Sequence, residues 1–75
     1  MPYIAIKAYK KDEKIKQEVV DRINKTFLEL WGCPQEAISI SIEEYTPAEF
    51  DAEVQKKIID PNASKMMICS GKKNY

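Results

Sequence analysis

Two stretches of alternating polarity bracket a run whose apolar residues recur every three and four positions, and this order of periods is what most constrains the fold. From Tyr3 to Tyr9, Ile4, Ile6 and Ala8 fall on one side and Tyr3, Ala5, Lys7 and Tyr9 on the other, the period of two expected of a half-buried strand. Ile38, Ile40 and Ile42 repeat the pattern opposite Ser39, Ser41 and Glu43, predicting a second strand over Ile38–Tyr45. Between them Ile15, Val19, Ile23, Phe27 and Leu30 form an apolar helical stripe that Val20 and Trp31 widen. Asp12 is a cap for its start, Glu13 suits the positive end of a helix, and Gly32 before Cys33-Pro34 stops it. Strand, helix and strand in that order predict a βαβ unit, with parallel strands and a right-handed crossover.

The second half carries a local helix start in Thr46-Pro47-Ala48-Glu49: a hydroxyl for the free backbone N–H groups, proline at the first helical position, and a glutamate able to reach back. Phe50, Val54 and Ile58 then share a face, on a helix predicted to end near Asp60-Pro61 and give way to a turn over Pro61-Asn62-Ala63-Ser64. Lys65 to Ser70 is a short apolar segment that fits a strand or an irregular arm equally well. The expected class is α/β (α+β): a two-layer βαβ unit, a second shorter helix and a C-terminal arm. Residues 1–75 read as a single domain with 60–75 as the arm.

Composition narrows the classes of function. The chain has 75 residues, and 12 Lys and Arg balance 12 Asp and Glu, so it lacks the basic excess of a backbone-tracking nucleic-acid binder. Its longest apolar runs, Tyr3–Ile6 and Met66–Cys69, are four residues long, which predicts no membrane span and no signal-peptide core. A hydrophobic content of 44% argues against disorder. Two cysteines and no histidine give neither a disulfide framework nor the usual zinc constellations. A core this small is marginal on its own. The expectation is therefore a cytoplasmic, oligomeric domain, with Leu28 and the second faces of both strands as candidate partner surfaces.

Pro2 is the residue whose chemistry stands out. A proline is tolerated at a strand's first position, where it need not donate to the ladder, and that alone accounts for it structurally. It also has a chemical reading. Removal of Met1 would leave a secondary amine at the end of a rigid strand. An ordinary α-amino group titrates at about 7.7–8.0, and apolar burial or nearby lysines lower such a value. A base brought toward neutrality can take a proton from one atom and return it to another, which is all that keto–enol isomerisation requires.

Met1-Pro2-Tyr3-Ile4-Ala5-Ile6-Lys7, the Asp12-Glu13 helix start, Ser39-Ile40-Ser41-Ile42 and the Thr46-Pro47-Ala48-Glu49-Phe50 block together resemble the 4-oxalocrotonate tautomerase family, small βαβ proteins with an amino-terminal proline. The resemblance covers about residues 2–58, and the longer second helix and tail are more similar to the phenylpyruvate-type dimeric members. It implies a cofactor-independent isomerase in which Pro2 is the general base and Phe50 the aromatic that keeps the pocket apolar. The family's first-loop arginine has no arginine counterpart; Lys10 or Lys11 stands there, a point charge without the bidentate fork. Ser39 replaces the family's second-strand arginine, and a hydroxyl does not neutralise a dianion. These departures favour a monoanionic 2-oxo or enol acid over a dicarboxylate.

The expected substrate is thus a small 2-oxo or enol carboxylic acid, with Pro2 catalytic and Lys10, Lys11, Ser39 and Phe50 binding. No metal, organic cofactor, nucleic acid or membrane is expected, and the assembly is a homodimer or, second, a homohexamer. Either hydroxyl of Tyr3 or Tyr45 could polarise a substrate carbonyl. Arg22, Cys33 and Cys69 read as structural or interface residues, Met66-Met67-Ile68 as core or interface filler, and Glu43-Glu44 and Lys72-Lys73 as solvated charge. Two other readings stay open: a dehalogenase or decarboxylase relative using the same base, and a non-catalytic oligomeric binding protein that keeps the fold. If Met1 is retained, the Pro2 nitrogen is an amide without a basic lone pair, and the non-catalytic reading holds.

Overall fold

A computed structural model describes residues 1–75. It forms two compact units, Met1–Glu44 and Tyr45–Tyr75. In the first, β1 (Tyr3–Tyr9) leads to α1 (Glu13–Thr26), which widens into a π-helical turn (Phe27–Trp31); a 3-10 turn (Gln35–Ala37) then leads into β2 (Ser39–Tyr45). The two strands pair in a parallel sheet. Their side chains meet in the same chain direction at both ends, the hydroxyls of Tyr3 and Ser41 lying 3.5 Å apart and Lys7 Nζ 3.1 Å from Glu43 Oε1. This mixed α/β arrangement is the βαβ unit expected and is consistent with a tautomerase-like fold.

Local chemistry sets both ends of α1. Asp12 adopts an extended conformation and its Oδ1 accepts the Ile15 N–H at 2.9 Å, satisfying a donor the helix leaves free. At the other end the Gly32 N–H reaches the Phe27 carbonyl at 3.2 Å, and Gly32 turns into the left-handed region at φ 74°, where a Cβ would be strained. The apolar stripe is only partly covered. Val20, Ile23 and Phe27 are half-buried, as are Ile4, Ile6, Ile40 and Ile42 of the strands, but no residue of this unit is fully buried. Leu30 and Trp31, expected on the buried stripe, are instead 84% and 69% exposed. Ile15 and Val19 of the same stripe are 44% and 41% exposed. Length contributes: 19 helical residues span about 28 Å against about 23 Å for a seven-residue strand, so a two-stranded sheet is too small to cover the whole stripe.

In the second unit, α2 (Pro47–Phe50) opens on the expected capping box. Thr46 Oγ1 accepts the Glu49 N–H at 3.2 Å and Glu49 Oε1 accepts the Thr46 N–H at 2.9 Å. The helix runs on through a π-helical stretch (Asp51–Ile59), α3 (Asp60–Asn62) and a 3-10 turn (Ala63–Lys65). Val54, at 4% exposure, is the chain's one buried hydrophobic residue. The turn expected at Pro61–Ser64 is therefore helical. The wide turn before it, with the Asp60 N–H donating to the Gln55 carbonyl five residues back, opens the room that a proline ring needs beside the preceding turn's carbonyls. Asn62 Nδ2 then donates to the Ile58 carbonyl at 2.8 Å.

The tail resolves as a hairpin, β3 (Ile68–Cys69) paired antiparallel with β4 (Lys72–Lys73). Its two-residue loop, Ser70 at φ 49° and Gly71 at φ 80°, has both central residues in the left-handed region, the requirement of a type I′ turn. Asn74 ties the hairpin down, its N–H donating to the Met67 carbonyl at 2.7 Å and its side chain to the Met66 carbonyl. No helix is long and apolar enough to cross a membrane.

Candidate functional site

The start of β1 brings Pro2 and Ser39 together. The Ser39 N–H donates to the Pro2 carbonyl at 3.2 Å, so the ladder's first bond fixes the proline's backbone without requiring a proline donor. Pro2 is half-buried, whereas Met1 before it is 99% exposed. Tyr3, 70% exposed, and Ser41 share the strand face that carries Ser39, which clusters three hydroxyl groups on that face near this end of the sheet.

Lys10 and Lys11 lie at the opposite end of β1. The seven residues of β1 separate Pro2 from Lys10, eight residue steps or about 26 Å, so one chain does not bring both to one small molecule. Both lysines are exposed, and no ion pair engages either ammonium group. Lys11 also lines a groove of about 140 Å³ whose floor is apolar, formed by Ile6, Ala8, Ile15 and Val19. Ile15 and Val19 are 44% and 41% exposed there.

Phe50 belongs to the second unit, where it is half-buried and its ring meets Tyr45 edge-on, with centroids 6.3 Å apart. Arg22, the single arginine, projects from α1 with its guanidinium 3.7 Å from Glu18. Cys33 Sγ lies 3.7 Å from the Phe27 carbonyl at the helix end, and Cys69 sits half-buried in the hairpin. No group of three or more His, Cys, Asp or Glu side chains is placed to hold a metal ion.

The acidic pair ending β2 is not simply solvated. Glu43 pairs with Lys7 at 3.1 Å. Glu44 uses both oxygens: Oε2 accepts the Lys11 backbone N–H at 3.0 Å and Oε1 pairs with Lys16 Nζ at 3.2 Å, while Lys16 also meets Glu13 at 2.9 Å. The Lys11 N–H, and then the Lys16 ammonium, hold the Glu44 carboxyl below its ordinary 4.5. Glu13 and Glu44 raise Lys16 above its ordinary 10.5. The Glu13–Lys16 spacing of three on a helix was visible in the sequence. The Glu44 contacts, across 33 residues, had no local signal.

Comparison with protein-family models and with curated proteins returns no match.

Proposed function

We propose that this protein is a cofactor-independent keto–enol tautomerase acting on a small 2-oxo or enol carboxylic acid, with Pro2 as general base and acid once Met1 is removed. The observation that carries the reading is the setting of Pro2: half-buried at the first rung of a parallel βαβ sheet, its backbone held by Ser39 and with hydroxyl side chains nearby. The prolyl amine takes the enol hydroxyl proton as the C–O bond gains double-bond character, and the prolinium returns a proton to carbon. The neighbouring hydroxyls are donors for the substrate's oxygens.

A carboxylate also needs a cation, and the nearest assigned ones, Lys10 and Lys11, are a strand's length away. In this reading a second copy of the chain supplies them, so the active form is an oligomer, a homodimer first and a homohexamer second. Exposed Leu30, Trp31, Met67 and Ile68 are surface of the kind such an assembly buries. On the resemblance alone, Phe50 is the aromatic that keeps water from the base. Both cysteines are free thiols, in keeping with a reducing, cytoplasmic setting.

The test is ketonisation of the phenylpyruvate enol by protein lacking Met1 and by its Pro2→Ala variant. The reading expects a loss of about 100-fold or more, the contribution of a positioned acid–base group. Equal rates would remove Pro2 from the mechanism.

A further inference from the structure

We propose that Glu44 is the positioning residue of the Lys10–Lys11 turn, holding its backbone so that the two lysines meet the substrate carboxylate assigned to them above. This rests on the reading above, that the ligand is a carboxylate met by Lys10 and Lys11. A carboxylate within reach of several lysines would ordinarily cancel one of them. Here that pairing goes to Lys16 of α1 and not to the turn: one Glu44 oxygen is taken by the Lys11 main-chain N–H at 3.0 Å and the other by Lys16 Nζ at 3.2 Å, and Glu13 shares Lys16 at 2.9 Å. Lys10 acts on the carboxylate through its charge without forming an ion pair. The acidic group therefore grips the backbone of the turn and spends its charge on the helix lysine. The Lys10 and Lys11 ammonium groups form no ion pair and are exposed, and Lys11 lines the apolar groove.

The groups acting on Glu44 are the Lys11 backbone N–H and the Lys10 charge from the turn, and Lys16, shared with Glu13, from α1. Asp12, one residue beyond Lys11, is committed to the helix start through the Ile15 N–H, so the turn is fixed from both sides: by its own cap and by the strand-end glutamate. Ordering the turn beforehand removes part of the backbone entropy that the turn would otherwise lose on gripping a ligand.

The experiment uses the full chain, ¹⁵N-labelled, with phenylpyruvate as the probe and the Lys10 and Lys11 amide resonances as the readout. Glu44→Ala removes the acceptor for the Lys11 N–H; Glu44→Gln keeps an acceptor oxygen and removes the charge. Long-range electrostatics alone predicts that both variants bind the anion more tightly, because a negative charge has gone. Positioning predicts the opposite for alanine: binding about tenfold weaker, with glutamine within about twofold of the native chain or tighter. Alanine binding as tightly as native, or tighter, overturns the proposal. So does a native chain whose Lys10 and Lys11 amides do not respond to phenylpyruvate.

Should Glu44→Ala fail to fold, the native chain decides. The Lys11 amide is expected to shift with pH as the Glu44 carboxyl titrates, and a flat Lys11 amide overturns the anchor. Binding that shows this pattern with no enol turnover upholds the turn's role while refuting the tautomerase reading, so the two fail separately.

Discussion

A mixing experiment follows from the spacing of Pro2 and Lys10. About 26 Å of strand lies between them, so a site that uses both is built from two chains. Consider one variant with Pro2→Ala and another with both Lys10→Met and Lys11→Met, each nearly inactive alone. Mixed in equal amounts and allowed to exchange subunits, a site works only where Pro2 comes from the second variant and the lysines from the first. Random assortment makes that about one quarter of all sites, whether the assembly is a dimer or a larger ring, provided each site joins two chains. The assay is enol ketonisation before and after subunit exchange, with native mass spectrometry to count mixed assemblies. Recovery to about a quarter of native activity is expected. Mixed assemblies no more active than the separate variants would refute the reasoning, because the proline and the lysines would not then serve a shared site.

Other expectations concern stability and the fold. Thr46→Ala removes the oxygen that accepts the Glu49 N–H and is expected to cost about 1 kcal/mol in denaturant unfolding, while Thr46→Ser is expected to cost much less. Gly71 lies at φ 80° in the two-residue loop of the C-terminal hairpin, so Gly71→Val is expected to cost at least 1 kcal/mol and to lose the Ile68–Lys73 pairing in amide exchange. The Glu44 contacts give a pH dependence of definite sign. Its carboxyl is held lower in the folded chain, so the stability it contributes is complete above its ordinary 4.5 and is lost as pH falls through the lower folded value. Lys16 is raised, so its contribution is complete below its ordinary 10.5 and is lost as pH climbs through the folded value. Urea midpoints followed against pH are expected to fall at both extremes, and Glu44→Gln is expected to flatten the acid limb.

What could be read from the sequence was what neighbours in the chain decide. Asp12, Gly32 and the Thr46–Glu49 box act over three to five residues, and each forms the contact its residue types predict. Alternation in Tyr3–Tyr9 and over Ile38–Tyr45 located both strands, the second beginning one residue later than expected. Periodicity assigns a face to a side chain but says nothing of how far the sheet beneath extends, which is why Leu30 and Trp31 are far more exposed than their stripe implied. Pro61 signalled a stop that the wide π-helical turn at Asp60 made unnecessary. The hairpin strands are two residues each, too short for alternation to register, although Ser70-Gly71 is itself a turn signal. At the candidate site, Pro2 and Ser39 meet through strand pairing, a consequence of βαβ order. The role of Glu44 depends on the turn and the β2 end coming together in three dimensions, and no residue type foretells that.

The central claim is that the Pro2 nitrogen is a free amine that moves the proton. It is met most directly by labelling proline with ¹⁵N, following the Pro2 nitrogen through a pH titration, and measuring the ketonisation rate of the phenylpyruvate enol across the same range. The account predicts a titrating amine whose midpoint coincides with an inflection in kcat/KM. A Pro2 nitrogen that stays an amide to Met1, or a rate that does not follow its titration, would contradict it.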